Sequence, residues 1–441
     1  MIKVITYGSY DMFHYGHRRL LERAKALGDY LIVGVTSDDY DKTRGKINLQ
    51  QSLMERVEAV RATGIADEII IEEYEGQKID DIKKYDVDIF TVGSDWVGYF
   101  DYLKEYCKVV YLPRTEGISS SEIREQRRSI RLGLVGEAKF LNKVWREAKY
   151  VNGIHINALF TQHPAVMEDE ARNKIDLITD DFAAFLKELD AVYIRSKPEE
   201  HYEQIKIALD ADKHVLCESP ITLNRREYED LRARAESRGL VLMEAVKTAY
   251  ATAYERLLLL LKAGKIGEVI SVDATCTSIR QRIEGFEWSS IYEWGPTALL
   301  PVFQILGTDY EDCHLTTRFG KDGNDVFTKI DFRYKGSVGS VKVGDGVKSE
   351  GELVVSGTKG YIYVPAPWWK TDYFEVRYED PADNRRYFYQ LEGEGIRYEL
   401  VSFARSVERG STINCIEPIV TRQITEVMEC FNKRCNMDVL S

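Results

Sequence analysis

The chain has 441 residues, 44% apolar and 30% charged, with a formal net charge of −12. That length predicts two or three domains, each able to bury a core of its own. The acidic balance argues against general affinity for nucleic acid or anionic membrane, so any anion site must be a local cluster of Lys, Arg and His.

The first part of the chain alternates strand and helix. "KVITYG" reads as a strand and "HRRLLERAKALG" as a helix stopping at Gly28, a C-cap residue. "YLIVGVTSD" is an apolar strand, "LMERVEAVRAT" a helix, and "EIIIEE", "VDIFTVGSD" and "KVVYLP" further strands. "RTEGISSSEIREQRR" reads as a loop leading into a helix. Such alternation predicts an α/β fold with a parallel sheet and helices on both faces.

Near Ser129 the pattern restarts with "IRLGLVGEAKF", a strand and glycine turn, followed by "IHINALFT", "AVYIRS" and "HVLCESP" with helices between. This predicts a second Rossmann-like unit. "ERLLLLLKAGKIGE" is too short to span a bilayer and reads as a buried helix. From about Gly267 the segments "EVISVDATCTS", "VFTKIDFRYKG", "VGSVKVGDG", "GELVVSG" and "GYIYVP" alternate at period two, as in a half-exposed antiparallel sheet within an α+β domain. Two helical stretches, "YELVSFARSVERG" and "TRQITEVMECFNK", follow. The expected division is 1–129, 130–250 and 251–441. The seven cysteines are scattered without a CxxC, and no leader or apolar spanning run is evident, which fits a soluble protein of the reducing cytoplasm without a structural metal.

Two motifs in the first domain carry chemistry. "GSYDMFHYGH" places His14 and His17 three residues apart after the first strand, at a sheet edge where α/β proteins bind ligands. Gly8 allows close backbone approach, Gly16 allows the next helix to start tightly, and imidazoles at a helix N-terminus can donate to phosphate oxygens. In "RTEGISSSEIR", Arg114 precedes Ser119, Ser120 and Ser121, whose hydroxyls and amides open a helix. Taken alone, that second motif reads first as a plain capping pattern ending in Glu122, since capping boxes are common.

Together, "TYGSYDMFHYGH" and "RTEGISSSEIR", with "LLERAKALGDYLIVGVTSD" between them, resemble the HxGH nucleotidyltransferases, the group that includes the glycerol-3-phosphate cytidylyltransferases. The resemblance implies CTP and a polyol phosphate as substrates, a CDP-polyol and pyrophosphate as products, and Mg2+ accompanying CTP. It assigns His14, His17 and Arg114 to catalysis. Thr6, Tyr7, Gly8, Ser9, Tyr10, Asp11 and Gly16, with Arg114, Thr115, Gly117, Ile118 and Ser119 to Ser121, fall at the nucleotide site. Asp95 and Trp96 in "GSDW" fall there too, the alternative being a loop cap and a packed aromatic. Arg44, Lys46 and Arg56 fall at the second phosphate. At Arg44 the nearest relatives have lysine, which keeps the charge and changes the geometry.

The remainder resembles the Gfo/Idh/MocA oxidoreductases, through "AVYIRSKPEEHYEQIKIALDADKHVLCESP", "LMEAVKTAYATAYERLLLLLKAGKIGEVISVDA", "EWGPTALL" and "GELVVSGTKGYIYVP". That implies an NAD(P)-binding domain followed by a sheet used for substrate and subunit pairing, hence a homodimer or higher homo-oligomer. Several functional groups are replaced. "GLVGEAKFL" keeps Gly136 but has Ala138 and Leu141 where small residues are expected, and Leu141 should crowd helix against strand. Thr161 stands for the ribose acid. The EKP motif reads Glu218, Ser219, Pro220. The later histidine and acid positions are Thr297 and Leu300. Lys247, Tyr250 or His201 would have to supply the missing proton donor. Two alternatives stay open: a reductase that makes the polyol phosphate used by the first domain, or a noncatalytic dimerisation platform.

Overall fold

Alternation along the first strand decides which helix each face receives. In β1 (Lys3–Gly8), Val4 points to one side and Ile5 to the other, both fully buried. The computed structural model resolves two compact units, Met1–Arg128 and Ser129–Ser441. It describes residues 1–38, 49, 51–73, 76–113, 129–137, 139–151, 153–279, 288–389, 391–410 and 416–441, with the Asp95 side chain also left out.

In the first unit, β1, β2 (Tyr30–Thr36), β3 (Glu68–Glu72), β4 (Ile89–Gly93) and β5 (Lys108–Leu112) form a parallel sheet in the order β3-β2-β1-β4-β5. Helices α1 (Tyr15–Lys25) and α2 (Leu53–Arg61) cover one face, where Leu21, Val57 and Val60 pack with Val4, Leu31 and Val33. Helix α3 (Gln77–Tyr85) covers the other, where Ile82 packs with Ile5, Ile32 and Phe90. The connection direction reverses between β1 and β4, so the loops after these two strands flank the crevice where α/β sheets bind ligands.

Helix α1 ends at Lys25 with Ala26 as its cap, not at Gly28. Gly28 has a different task. A Cβ there would lie 2.6 Å from the Ile2 carbonyl, so the glycine admits the chain's first residues against the helix end.

The second unit begins with β6 (Ile130–Val135), β7 (Ile154–Phe160), β8 (Leu177–Thr179), β9 (Ala191–Ile194), β10 (His214–Glu218) and β11 (Leu242–Ala245). They form a parallel sheet, order β11-β10-β9-β6-β7-β8. Its switch point lies between β6 and β9. Leu141, expected to crowd the turn, is fully buried as the first residue of helix α4 (Leu141–Ala148).

Next come β12 (Val269–Ser278), β13 (Asp312–Phe319), β14 (Asp325–Arg333), β15 (Val338–Asp345), β16 (Leu353–Gly357), β17 (Tyr361–Val364), β18 (Tyr373–Arg377), β19 (Arg385–Phe388) and β20 (Met437–Val439). The sheet, order β19-β18-β17-β16-β12-β15-β14-β13-β20, is mixed rather than purely antiparallel, because β12 runs parallel to β15 and β20 parallel to β13. The leucine-rich stretch forms the helix Thr252–Lys262, amphipathic rather than wholly buried: Leu257 and Leu260 face the core and Leu259 is exposed. No helix among the described residues is long and apolar enough to cross a membrane. The six described cysteines are all free thiols, and Cys415 lies outside the described residues.

Candidate active sites

The first site is built on the loop between β1 and α1. His14 is the N-cap of α1, with extended backbone, and its Nδ1 accepts the Gly16 N–H at 3.0 Å. The His14 N–H in turn points to Nδ1 of His17 at 3.4 Å, a reciprocal capping arrangement made by two imidazoles. With both Nδ1 atoms accepting, each neutral ring carries its proton on Nε2. The rings stack with centroids 3.9 Å apart and planes 21° from parallel. Two imidazolium charges at that separation would repel by about 4 kcal/mol at an effective dielectric of about 20, which favours neutral rings. Both residues are half-buried. Tyr10 and Phe13 pack on the far side of His17, at 5.5 and 5.6 Å.

The loop is held in a demanding shape. Tyr10 and Met12 adopt φ of 53° and 49°, values that cost a non-glycine residue roughly 1–2 kcal/mol each. Gln51 offsets this from below: its backbone N–H donates to Asp11 at 3.0 Å, and its side-chain oxygen accepts the Met12 N–H at 2.7 Å. Asp11 is therefore buried and orients the loop. The Tyr10 ring, 1% exposed, lies against Gly8, where a Cβ would sit 3.1 Å from it.

Arg56 lies beneath the loop. Its side chain is fully enclosed and donates to the carbonyls of Ser9 at 2.6 Å, Thr36 at 2.8 Å and Gln51 at 3.2 Å, and to the Asp38 carboxylate. It is a strut under the histidine loop. Tyr7 likewise points away from the loop: its hydroxyl donates to Asp81 on α3 at 2.8 Å, and burial beside that carboxylate holds it protonated far above the usual range. Thr6 is wholly buried in β1. Trp96, at the end of the short turn Ser94–Trp96 that follows β4, is half-buried against Tyr99 and Phe100. Arg44, Lys46, Arg114, Thr115, Gly117, Ile118 and Ser119 to Ser121 lie outside the described residues, as does the Asp95 side chain. Sequence reasoning passed over Gln51, whose amide is the pin of the loop.

The second site lies at the β6–β9 switch point. Gly136 has φ +143°, and a Cβ there would sit 2.2 Å from the Arg195 carbonyl, so this turn requires glycine. Ala138 lies outside the described residues. Arg195 then lines an adjoining cavity of about 130 Å³ with Phe140, Lys143, Lys247, Glu218 and Thr297. The Arg195 guanidinium donates to Glu293 at 3.0 Å and stacks on Trp288 at 3.8 Å. Lys143 and Lys370 both pair with Glu394, and Lys247 stands 3.8 Å from it. Burial, then the neighbouring Lys370, lower the pKa of Lys247. The two other candidate donors are elsewhere. The His201 ring is fully buried between the carbonyls of Pro220 at 2.9 Å and Ser196 at 3.2 Å, and burial lowers its pKa to about 4. The Tyr250 hydroxyl donates to the Glu244 carbonyl at 2.9 Å and lines a different cavity. Leu300 belongs to the core.

Behind Lys247, the Tyr193 hydroxyl lies between two buried carboxylates, donating to Glu218 and standing 3.4 Å from Glu399. One hydroxyl hydrogen cannot serve both. Burial raises the pKa of each, and the Glu218 charge pushes Glu399 well above the carboxylate range. A folded-state pKa raised in this way contributes stability below the unfolded value of about 4.3 that is lost as pH rises through the folded one. Glu399→Gln should therefore gain stability relative to the parent as pH rises from about 4.3, by up to about 1.4 kcal/mol per pH unit, and level off above the folded pKa. Thermal melting of both proteins between about pH 4 and 8 reads this, and parallel curves would show that folding leaves the Glu399 pKa unshifted.

Comparison with known proteins follows the two units. Residues 5–126 match the family described as cytidylyltransferase-like, and residues 130–246 match the oxidoreductase family with an NAD-binding Rossmann fold. The chain is 50% identical over 130 residues to the glycerol-3-phosphate cytidylyltransferase of Bacillus spizizenii, covering 100% of that relative and 30% of this chain. This chain belongs to the cytidylyltransferase family. It is also 46% identical to the Staphylococcus aureus glycerol-3-phosphate cytidylyltransferase over 95% of that protein and 29% of this chain. The first unit makes the protein a nucleotidyltransferase, and this cytidylyltransferase is fused to an oxidoreductase domain of the Gfo/Idh/MocA type. The second unit is 26% identical to trans-1,2-dihydrobenzene-1,2-diol dehydrogenase of Oryctolagus cuniculus, over 76% of that relative and 54% of this chain. It shares its fold with a 3-ketoreductase from Actinomadura kijaniata solved with NADP and TDP-benzene, at a TM-score of 0.64 and 18% identity, over 100% of that chain and 71% of this one.

Proposed function

We propose that the first unit is a CTP:polyol-phosphate cytidylyltransferase, with glycerol 3-phosphate as its first-choice substrate. A phosphate oxygen of the polyol phosphate attacks the α-phosphorus of CTP. The bond from that phosphorus to the bridging oxygen breaks, and its electron pair leaves with pyrophosphate. No protein nucleophile is needed, so catalysis is positioning and charge stabilisation. The reciprocally capped His14–His17 pair carries this reading, because it holds two Nε2–H donors in a fixed register for the α- and β-phosphates. Arg114 and the Ser119–Ser121 turn take the β- and γ-phosphates, and Arg44 and Lys46 the polyol phosphate. Mg2+ enters with the triphosphate of CTP. The CDP-polyol feeds teichoic acid or capsular polymer synthesis in the cytoplasm.

The cavity of the second unit favours a second reading, in which this domain reduces a keto- or aldo-sugar phosphate to the polyol phosphate. Lys143, Arg195, Lys247 and Lys370 all line it beside Glu218 and Glu293, and four side-chain cations can meet the phosphate of a phosphorylated substrate. Lys247 stands in for the lysine absent at Ser219, and burial lowers its pKa, which eases donation of its proton. A bound nicotinamide nucleotide would supply the hydride. The glycine turn at Gly136 and the adjoining cavity fit such a group. A homodimer built on the nine-stranded sheet is part of the same proposal.

One experiment covers both units. Incubation with CTP, Mg2+ and a panel of polyol phosphates should release pyrophosphate, with glycerol 3-phosphate preferred. Replacing the polyol phosphates by keto- and aldo-sugar phosphates with NADH or NADPH should restore release. Failure with every polyol phosphate removes the first reading, and failure only of the coupled reaction leaves the second unit as a dimerisation platform.

A further inference from the structure

The ribose-gripping acid that should follow β7 is absent, since that position is Thr161, yet a carboxylate occupies its place in space. Glu137, inside the glycine turn after β6, reaches across to the end of β7. Its Oε2 accepts the Thr161 hydroxyl at 2.6 Å and the His163 N–H at 3.2 Å, and lies 3.2 Å from His163 Nδ1. Its Oε1 accepts the Gln162 N–H at 2.5 Å. The side chain remains 29% exposed, so the carboxylate is fixed from behind and open in front. A carboxylate has about four lone-pair positions, and Oε1 uses one of its two here.

We propose that Glu137 is the ribose-binding acid of the second unit, supplied from the glycine turn instead of the second strand, and that it makes this domain select NADH over NADPH. This rests on the reading that the second unit takes a nicotinamide dinucleotide. Two features of the turn support the placement. Gly136 keeps the tight approach to Arg195 that a dinucleotide turn needs, and Arg195 continues from that turn into the cavity with Lys247. A dinucleotide crossing the turn therefore lays its adenosine ribose beside the end of β7, where the 2′-hydroxyl donates to Glu137. A 2′-phosphate at the same point meets a carboxylate that already accepts the Gln162 and His163 N–H groups, and like charges repel. Thr161 is a positioning residue, because its hydroxyl aims the carboxylate.

The test is equilibrium binding of NADH and NADPH to the full chain by nucleotide fluorescence, with thermal melting as a check on the fold. The parent should bind NADH at least about tenfold more tightly than NADPH. Glu137→Gln should weaken NADH about ten- to hundredfold, the size of a lost charge-assisted hydrogen bond, while NADPH changes little or improves. Thr161→Val should weaken NADH by a smaller factor with the same discrimination pattern. Equal binding of both nucleotides by the parent, or tighter NADH binding by Glu137→Gln, overturns the role of Glu137 and leaves the dinucleotide reading standing. No binding of either nucleotide at millimolar concentration overturns the dinucleotide reading itself.

Discussion

Replacing His14 by asparagine is expected to leave the first unit folded and to lower its turnover number about 10²–10³-fold. The two halves of that result have separate causes. As N-cap, His14 accepts the Gly16 N–H through Nδ1, and an asparagine side-chain oxygen can accept in its place. What asparagine does not reproduce is the second nitrogen, rigidly fixed by the first, that donates to phosphate. Alanine at the same position should lose both, adding about 1 kcal/mol of instability to the same rate loss. His17→Ala should match the rate loss, since the stacked rings act as one unit, and the double variant should cost little more than either single change. Pyrophosphate release at saturating CTP, together with melting by circular dichroism, separates these effects. A His14→Asn protein within a fewfold of the parent rate would show that the imidazole serves the helix and not the reaction.

Arg56→Ala should destabilise the first unit by about 1–3 kcal/mol, the usual consequence of leaving a buried hydrogen-bond partner unsatisfied. The guanidinium satisfies carbonyls from three chain segments at once: the histidine loop at Ser9, the end of β2 at Thr36 and the α2 entry at Gln51. Without it those oxygens are buried unpaired, and Asp38 loses its cation. Arg56→Lys should recover only part of the loss, because an ammonium lacks the planar fork that reaches several directions. Hydrogen exchange of peptides from residues 3–36, followed by mass spectrometry, reports the first unit within the full chain. Unchanged protection with a raised KM for the polyol phosphate would mean instead that Arg56 meets substrate directly.

Much of this architecture was readable beforehand, and the exceptions share a cause. β1, β2 and β5 declare themselves because β-branched and aromatic residues dominate them. Helix α3 does not, since "QKIDDIKKY" carries few apolar residues and instead buries Gln77, Lys78 and Asp81 in a polar network. Hydropathy cannot find a helix held by hydrogen bonds. The histidine pair was legible from its spacing and flanking glycines, whereas the tautomer that makes it useful depends on which backbone N–H each ring meets. Arg56 looked like one more cation for a phosphate, and its bonds to the Ser9 and Thr36 carbonyls could not be read from the sequence. Glu137 was hidden for the opposite reason: it occupies a spacer position in a glycine turn, and its significance comes from a strand more than twenty residues away.

The short strand β20 lies alongside β13 at one margin of the nine-stranded sheet, with the Leu440 N–H bonded to the Thr317 carbonyl at 2.8 Å. The last few residues thus act as a selvedge that keeps β13 from presenting an unpaired row of amides and carbonyls. Shortening the chain before Met437 would bare that row, and the natural remedy for a bared row is a strand borrowed from another molecule. The contribution of β20 is therefore to the closure of that sheet margin.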